Sequence, residues 1–381
     1  MKKKVCILGS TGEIGKLCLE VISKKTNLFK VIVLSGNNNY KLLIQQIKKF
    51  SPKYIYLTNS ISEKKILSIC KKKKITIVKD LKYFTFKIDI TVNAISGING
   101  LKPTLDIIKN TKELGIVNKE SIICGWNLIN KELKKYNCKF YPLDSEHFAL
   151  RKLLNNQNRD EISRIHIPAS GGPFFKKKIN LNKAKVNQVI KHPIWSMGKK
   201  NSIDSANLIN KVLEIIEASL IFNISIKKFF IFIHPESFVH AAVTFKNETS
   251  IMSYYKPDMR VVLKNFFFKN NFKLYDKKKY FLNNLKKIGF NFYKLENKYN
   301  YLGKILNFAY LYKQNAYIAI NLINEILVNK FIDKKIKFPE IVNKIIINLN
   351  RKNIKKQIKY KKINNLNKIL KFHSFLKLNV K

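Results

Sequence analysis

The chain has 381 residues and no run approaching the roughly 18 to 20 uninterrupted apolar residues that a membrane-spanning helix needs. Its five cysteines, Cys6, Cys18, Cys70, Cys124 and Cys138, include no C-x-x-C pair and are odd in number. That argues against a disulfide framework and a zinc site, and leaves reduced, buried thiols. No internal repeat is visible. The start, Met1-Lys2-Lys3-Lys4, carries the charge of a signal-peptide front. The apolar run at 5–8 is far shorter than the roughly 7 to 15 residues of a secretory core, however. It reads as a first β-strand, and the protein as cytoplasmic.

Acidic residues are also scarce. Against 74 Lys+Arg there are 24 Asp+Glu, a formal charge of +50. One reading is a basic surface for nucleic acid. The other is compositional drift: Lys, Asn, Ile, Phe and Tyr, all with A/T-rich codons, are over-used together. The lysines are scattered, with runs at 71–74 and 277–279 and no RNA-binding or helix-turn-helix signature beside them. In either case the charge attracts anionic substrates and, nonspecifically, RNA.

At about 150 residues per domain, the length gives two or three domains. Short apolar runs at 5–8, 31–34, 54–57, 75–78 and 89–93 alternate with helical patterns, the first at 13–24 with Ile14, Leu17, Cys18 and Val21 on one face. Strand alternating with helix implies a parallel sheet with right-handed crossovers. The fold class is α/β. Residues 1–145 form a doubly wound, Rossmann-like nucleotide-binding domain, and 146–268 a central α+β domain holding most of the polar motifs. Residues 269–298 form a connector and 299–381 a C-terminal helical bundle, with the tail after Asn350 hard to place.

Gly9-Ser10-Thr11-Gly12-Glu13-Ile14-Gly15 follows a strand and opens a helix, so its backbone N–H groups can approach a pyrophosphate. At the end of the second strand, Ser35-Gly36-Asn37-Asn38-Asn39 offers no acid for a ribose 2′-hydroxyl, and Lys41 is near. That favours NADP over NAD. In extended chain Asp144 and Glu146 point to one side. With Glu214 they make an oxygen-rich set suited to Mg²⁺ or Mn²⁺; the other reading is a solvated acidic turn. A helix from about 206 to 222, with Asp204 or Ser205 as N-cap, places Asn210, Lys211 and Glu214 toward one pocket. A capping serine, an amide and a lysine suit phosphate; Lys211 and Glu214 also fit a surface ion pair. Ser170-Gly171-Gly172 is a second Gly-rich turn, either connector or site. His234, after the strand at 229–233, is either structural or catalytic.

In order, these segments resemble the 1-deoxy-D-xylulose 5-phosphate reductoisomerase family. The matching runs are Gly9 to Gly15, Gly97-x-x-Gly-Leu-x-Pro-Thr104, Asn118-Lys119-Glu120-Ser121, Asp144-Ser-Glu-His147 and Ser170-Gly-Gly-Pro-Phe174. Then come His192-Pro-x-Trp-Ser-Met-Gly198, Asp204-Ser-Ala206, Asn210-Lys211, Glu214, Ile233-His-Pro235, Pro257-Asp-Met-Arg260 and, more weakly, Asn324-Glu325. They span about 1–340, beyond which the likeness fades.

The resemblance implies NADPH, a divalent metal on Asp144, Glu146 and Glu214, and a sugar phosphate as substrate. Cofactor contacts would come from Gly9, Ser10, Thr11, Gly12, Ile14 and Gly15, from Gly36, Asn37 and Asn38, from Asn118, Lys119 and Glu120, and from Met197 and Gly198. Lys119, Ser145, Glu146 and Glu214 would face the substrate. Ser170, Ser205, Asn210 and Lys211 would take its phosphate, with His192 close by. Lys119, Glu146, His192 and Trp195 would serve catalysis, Trp195 on a flexible lid at 190–199. The family acts in isoprenoid precursor synthesis as a homodimer. Glu13 stands where a serine is usual and Asn37 where a basic residue often supports the 2′-phosphate, which weakens the NADPH preference. Val117 and Phe148 also depart from the pattern. Two alternatives are a different NADP-dependent dehydrogenase, which would want Cys124 or Cys138 as nucleophile, and a nucleic-acid-binding derivative of the fold.

Overall fold

A computed structural model describes residues 1–175, 180–269 and 289–381; the lysine run at 277–279 and most of the expected connector lie outside them. The chain groups into two units. The first comprises Met1–Ser121, Asn127–Asp144 and Asp258–Asp276; the second comprises Ile122–Trp126, Ser145–Pro257 and Lys277–Lys381.

In the first unit, β1 (Lys3–Leu8), α1 (Glu13–Ser23), β2 (Phe29–Ser35), α2 (Tyr40–Phe50), β3 (Tyr54–Tyr56), α3 (Ser60–Lys72) and β4 (Thr76–Val78) alternate. They are followed by β5 (Ile88–Asn93), α4 (Leu101–Ile107), β6 (Thr111–Ile116), α5 (Lys119–Lys135) and β7 (Lys139–Pro142). The strands form one parallel sheet in the order β4-β3-β2-β1-β5-β6-β7. Val5, Cys6, Ile7 and Leu8 are all fully buried, the continuous apolar run of a strand covered on both faces. Each such aliphatic side chain contributes about 1.5–3 kcal/mol. The strand order reverses between β1 and β5, and their carboxyl ends make the crevice where doubly wound sheets bind ligands.

The second unit opens with α6 (Ser145–Leu153) and continues through β8 (Ile162–Ala169), α7 (Val186–Val189), α8 (Lys199–Ala206) and α9 (Ile209–Phe222). β9 (Phe229–Ile233), β10 (Val239–Phe245) and β11 (Ser250–Tyr254) follow. Its sheet runs β11-β10-β8-β9, with only the β8–β9 pair parallel. Ile165, Ile167, Ala241 and Val243 are buried on the face that α6 and α9 cover. The opposite face leaves Phe230, Met252 and Tyr254 exposed.

The next helix, α10 (Met259–Phe268), groups with the first unit rather than with the central residues expected to surround it. Asp258 caps it by accepting from the Arg260 N–H at 2.9 Å, and Arg260 pairs with Glu20 of α1 at 3.2 Å. Phe267 packs edge-on to Phe29, ring centres 5.7 Å apart. The Pro-Asp-Met-Arg motif is thus an anchor.

Four helices close the second unit: α11 (Tyr301–Ile332), broken by non-helical Lys313, α12 (Glu340–Asn350), α13 (Lys352–Tyr360) and α14 (Leu366–Asn379). The tail, hard to place from sequence, is therefore helical. Ile354, Ile358, Ile369, Phe372 and Leu376 bury its sparse apolar positions, and Lys330 donates to the Val380 carbonyl at 2.7 Å.

Candidate active site

In the first unit the turn after β1 is fixed by close backbone approach. Gly9 has φ +79°, and a Cβ there would lie 2.6 Å from the Ala94 carbonyl oxygen; one on Gly15 would lie 2.2 Å from the Gly9 oxygen. The Ser10 N–H donates to the Ser35 carbonyl at 2.7 Å, and the Gly9 N–H to Ser35 Oγ at 2.7 Å. Buried Gln46 of α2 adds a clamp that sequence reading missed. Its Nε2 donates to the Ser10 carbonyl at 2.8 Å and its Oε1 lies 2.7 Å from Ser10 Oγ. It was hidden because α2 reads as amphipathic and Gln46 as a polar-face residue, although it falls between buried Leu43 and Ile47. Gly12 begins α1 without a capping side chain, so the first N–H groups of that helix suit an anion.

Thr11 lies against Gly36. Asn37 and Asn38 accept hydrogen bonds from Thr58 and Asn59, both at 3.2 Å. Lys41 is exposed in the first turn of α2. Glu13, the unwelcome charge near the turn, pairs with Lys16 at 2.7 Å on the exposed side of α1. Asn118 caps α5, accepting from the Ser121 N–H at 2.7 Å and donating to the Gly97 carbonyl at 2.8 Å. Beside it, Glu120 is buried, and buried Lys119 faces Asp144 at 3.4 Å.

Two expected local geometries are corrected. Asp144 and Glu146 do not lie on an extended chain: α6 starts at Ser145, so Glu146 is in its first turn. Nor does one helix run from 206 to 222. The segment bends at Leu208 (φ +58°) between α8 and α9. Asp204 and Ser205 therefore belong to the last turn of α8 and are not N-caps. Asp204 is fully buried, bonded to Lys200 at 2.8 Å and to Asn324 of α11 at 2.9 Å.

In the second unit Glu146 and Glu214 both ion-pair with Lys211, the latter at 2.5 Å, and Asn210 donates to Glu214. Glu214 and Lys211 are buried. Burial pushes the Lys211 pKa down, but the two carboxylates outweigh it and hold the ammonium above its ordinary value. His147 joins α6 to α9: its Nε2–H donates to the Glu214 carbonyl at 2.9 Å. Ser145 donates to Glu146, and Tyr255 donates to the Ser145 carbonyl at 2.8 Å. Phe148, the departure after the acidic motif, packs edge-on to the Tyr255 ring.

His192 has a determined tautomer. Its Nδ1 accepts from the Ile194 and Trp195 N–H groups at 3.1 and 2.9 Å, so the proton sits on Nε2, 2.8 Å from Ser170 Oγ. Ser170 Oγ also accepts from the Gly172 N–H at 3.2 Å, which leaves its own proton to donate. A Cβ on Gly172 would lie 3.0 Å from the Ser205 carbonyl and 2.9 Å from Ala206 Cα, so the Gly-Gly turn runs close against the end of α8. Between α7 and α8 the chain has no regular structure; Trp195 is half-buried there, edge-on to His240 at 6.0 Å, while Met197 and Gly198 lead into α8. His234 is buried, with Nδ1 3.0 Å from the Asn291 carbonyl and Nε2 accepting from the Phe238 N–H at 3.1 Å, a structural brace.

Burial lowers the His192 and His240 pKa values from 6.5 to about 4. For buried His240, 6.5 against about 4 corresponds to roughly 3 kcal/mol. The native ring binds fewer protons than the unfolded one in that window. Its stabilisation is therefore complete above pH 6.5 and lost as the pH falls through 4. Urea midpoints measured between those limits should fall less steeply in His240→Gln than in the natural chain; parallel slopes refute this.

None of the five cysteines forms a disulfide and all are buried, and burial pushes the Cys138 thiol up to about 12, the opposite of an activated nucleophile. This removes the basis for a cysteine-dependent dehydrogenase at Cys138. No described helix is long and apolar enough to cross a membrane.

Sequence profiles match most of the chain. That of 1-deoxy-D-xylulose 5-phosphate reductoisomerase matches residues 5–125, its C-terminal domain profile 140–222, and the DXP reductoisomerase C-terminal domain profile 255–377. The last match overturns the expectation that likeness fades after about 340. The 1-deoxy-D-xylulose 5-phosphate reductoisomerase of Pelagibacter ubique is 40% identical over 390 residues, covering 99% of this chain and 98% of its own length. That of Wolbachia pipientis wMel is 36% identical, covering 89% and 88%. A solved DOX-P reductoisomerase in complex with NADPH, fosmidomycin and magnesium superposes with a TM-score of 0.88 at 26% identity, covering 99% and 97%. The Zymomonas mobilis enzyme in complex with NADPH gives 0.82 at 26%, covering 100% and 98%. The chain belongs to the 1-deoxy-D-xylulose 5-phosphate reductoisomerase family.

Proposed function

We propose that this chain converts 1-deoxy-D-xylulose 5-phosphate to 2-C-methyl-D-erythritol 4-phosphate with NADPH and Mg²⁺ or Mn²⁺, a step of isoprenoid precursor synthesis. The observation that carries the reading is the convergence of the Glu146 and Glu214 carboxylates on one buried cation, Lys211. Oxygen-only, doubly acidic donors fit a hard divalent ion, and Asp144, two residues before Glu146, completes the set. Bound there, the ion supplies Lewis-acid polarisation of the substrate's carbonyl and adjacent hydroxyl oxygens, and NADPH supplies the hydride that reduces the branched aldehyde left by carbon–carbon rearrangement.

The chain's own groups bind and orient. With a metal cation held by Asp144, Glu146 and Glu214, Lys211 would be available to the substrate phosphate, alongside Asn210, Ser205 and the remaining proton of Ser170. His192 holds Ser170 and the lid turn together, so phosphate binding is felt at Trp195. Remote binding energy of this kind positions the reacting carbons, and the lid with Trp195 and Met197 excludes water. Lys119 and Ser145 contact the substrate. The Gly9–Gly15 turn takes the NADPH pyrophosphate, Gly36, Asn37 and Asn38 its adenosine side, and Asn118, Lys119, Glu120 and Gly198 its nicotinamide side. Five cysteines without a disulfide suit a reducing cytoplasm. The test is product identity: 2-C-methyl-D-erythritol 4-phosphate formed one-for-one with NADPH oxidised supports the reading, and any other product refutes it.

The family's homodimer finds a candidate interface on the outer face of the β11-β10-β8-β9 sheet, where Phe230, Met252 and Tyr254 are exposed. Apolar patches of this kind mark protein contacts. Phe230→Glu should turn a dimer into a monomer in light scattering; a dimer of unchanged dissociation constant contradicts the assignment.

A further inference from the structure

Tyr255 lies outside every motif that carries the family resemblance, yet it is bonded to α6, to β10 and to the turn that precedes β10. Its N–H donates to the Phe238 carbonyl at 3.0 Å, and its own carbonyl lies 3.1 Å from His240 Nε2. A carbonyl only accepts, so Nε2 carries the ring proton. The phenol ring stacks on the His240 imidazole, centroids 3.7 Å apart and planes 12° from parallel. His240 in turn meets the edge of Trp195. The hydroxyl donates to the Ser145 carbonyl, 110 residues away in sequence, where α6 begins and Glu146 takes its place beside Lys211.

One side chain thus fixes the first turn of the helix that carries a proposed metal ligand and the floor on which the lid tryptophan rests. We infer that Tyr255 is a positioning residue that couples the Glu146 turn to the seat of Trp195. The inference rests on the functional reading of Glu146 and Trp195 above. The hydroxyl sets where the carboxylate stands, and the ring sets the His240 plane against which Trp195 settles. Those two roles are separable, because phenylalanine keeps the ring and leucine keeps neither.

The test uses the full chain carrying Trp126→Phe, so that Trp195 is the only tryptophan. In that background Tyr255→Phe and Tyr255→Leu are compared for Mn²⁺ affinity by paramagnetic resonance, steady-state kinetics, melting temperature and Trp195 emission. Loss of one neutral hydrogen bond predicts about five- to tenfold weaker Mn²⁺ binding and a matching rise in substrate KM in both variants, with NADPH KM within about twofold. Tyr255→Phe should keep the Trp195 emission maximum and Tyr255→Leu should shift it to longer wavelength. Mn²⁺ affinity within about twofold of the background in both variants overturns the inference, as does a parallel rise of both KM values with a fall in melting temperature, which marks general loosening. Mn²⁺ affinity and emission are read without turnover. If the background protein binds Mn²⁺ and these readouts move as expected but it does not turn over, the reaction assignment fails and the positioning role stands.

Discussion

Glu214→Gln should lower metal-dependent turnover by at least about a hundredfold while leaving the protein folded. Glu214 is 1% exposed and shares Lys211 with Glu146. In the natural protein these two carboxylates share one ammonium, and like charges held so close disfavour each other's ionised form. Glutamine keeps the shape and removes one of those like charges, so Lys211 and Glu146 become a neutral pair. The amide can still meet Asn210, because both side chains can rotate to match donor with acceptor. Melting of the metal-free protein should therefore be unchanged or raised, while the Mg²⁺ needed for half-maximal rate increases steeply. Turnover retained at ordinary Mg²⁺ would remove Glu214 from the metal site. Turnover and melting temperature lost together would mean that Glu214 is only structural.

The second large effect concerns the phosphate turn. Gly15→Ala puts a methyl group 2.2 Å from the Gly9 oxygen and 2.6 Å from Ser10 Cα, all of it backbone. The turn cannot yield, because Gly9 is itself against the Ala94 carbonyl and Ser10 is held by Ser35 and Gln46. Overpacking of this kind costs about 1–3 kcal/mol and displaces the N–H groups that meet the pyrophosphate. At Gly12 the nearest atom to a new Cβ is 3.4 Å away, an ordinary contact. Gly15→Ala should therefore lower the melting temperature of the cofactor-free chain and weaken NADPH binding about tenfold or more, whereas Gly12→Ala should leave cofactor-free melting unchanged. Equal melting of the two variants would contradict the packing argument.

What the sequence made legible follows from how local each signal is. The first strand, the turn and α1 were readable because apolar run, glycine spacing and helical period lie within about twenty residues. Asn210, Lys211 and Glu214 were placed together by helix periodicity, and they do meet. The same periodicity concealed the break at Leu208, since apolar positions at 208, 212, 213 and 216 continue smoothly across it and leucine is not a residue that announces a left-handed turn. The extended reading of 144–146 failed for a related reason: an i, i+2 pattern of acids says nothing about where the helix starts. In the tail, apolar residues four apart stand among lysines and asparagines, too sparse to reveal α13 and α14. Gln46 and Tyr255 were invisible because their roles are long-range, across 36 and 110 residues.

The most direct measurement is NADPH oxidation by the purified chain supplied with 1-deoxy-D-xylulose 5-phosphate, with Mg²⁺ present and then removed by a chelator. Oxidation that requires both the sugar phosphate and the metal, and returns when Mg²⁺ or Mn²⁺ is restored, is the expected result. A folded, NADPH-binding chain that oxidises nothing, or that does so equally well without metal, would contradict the account.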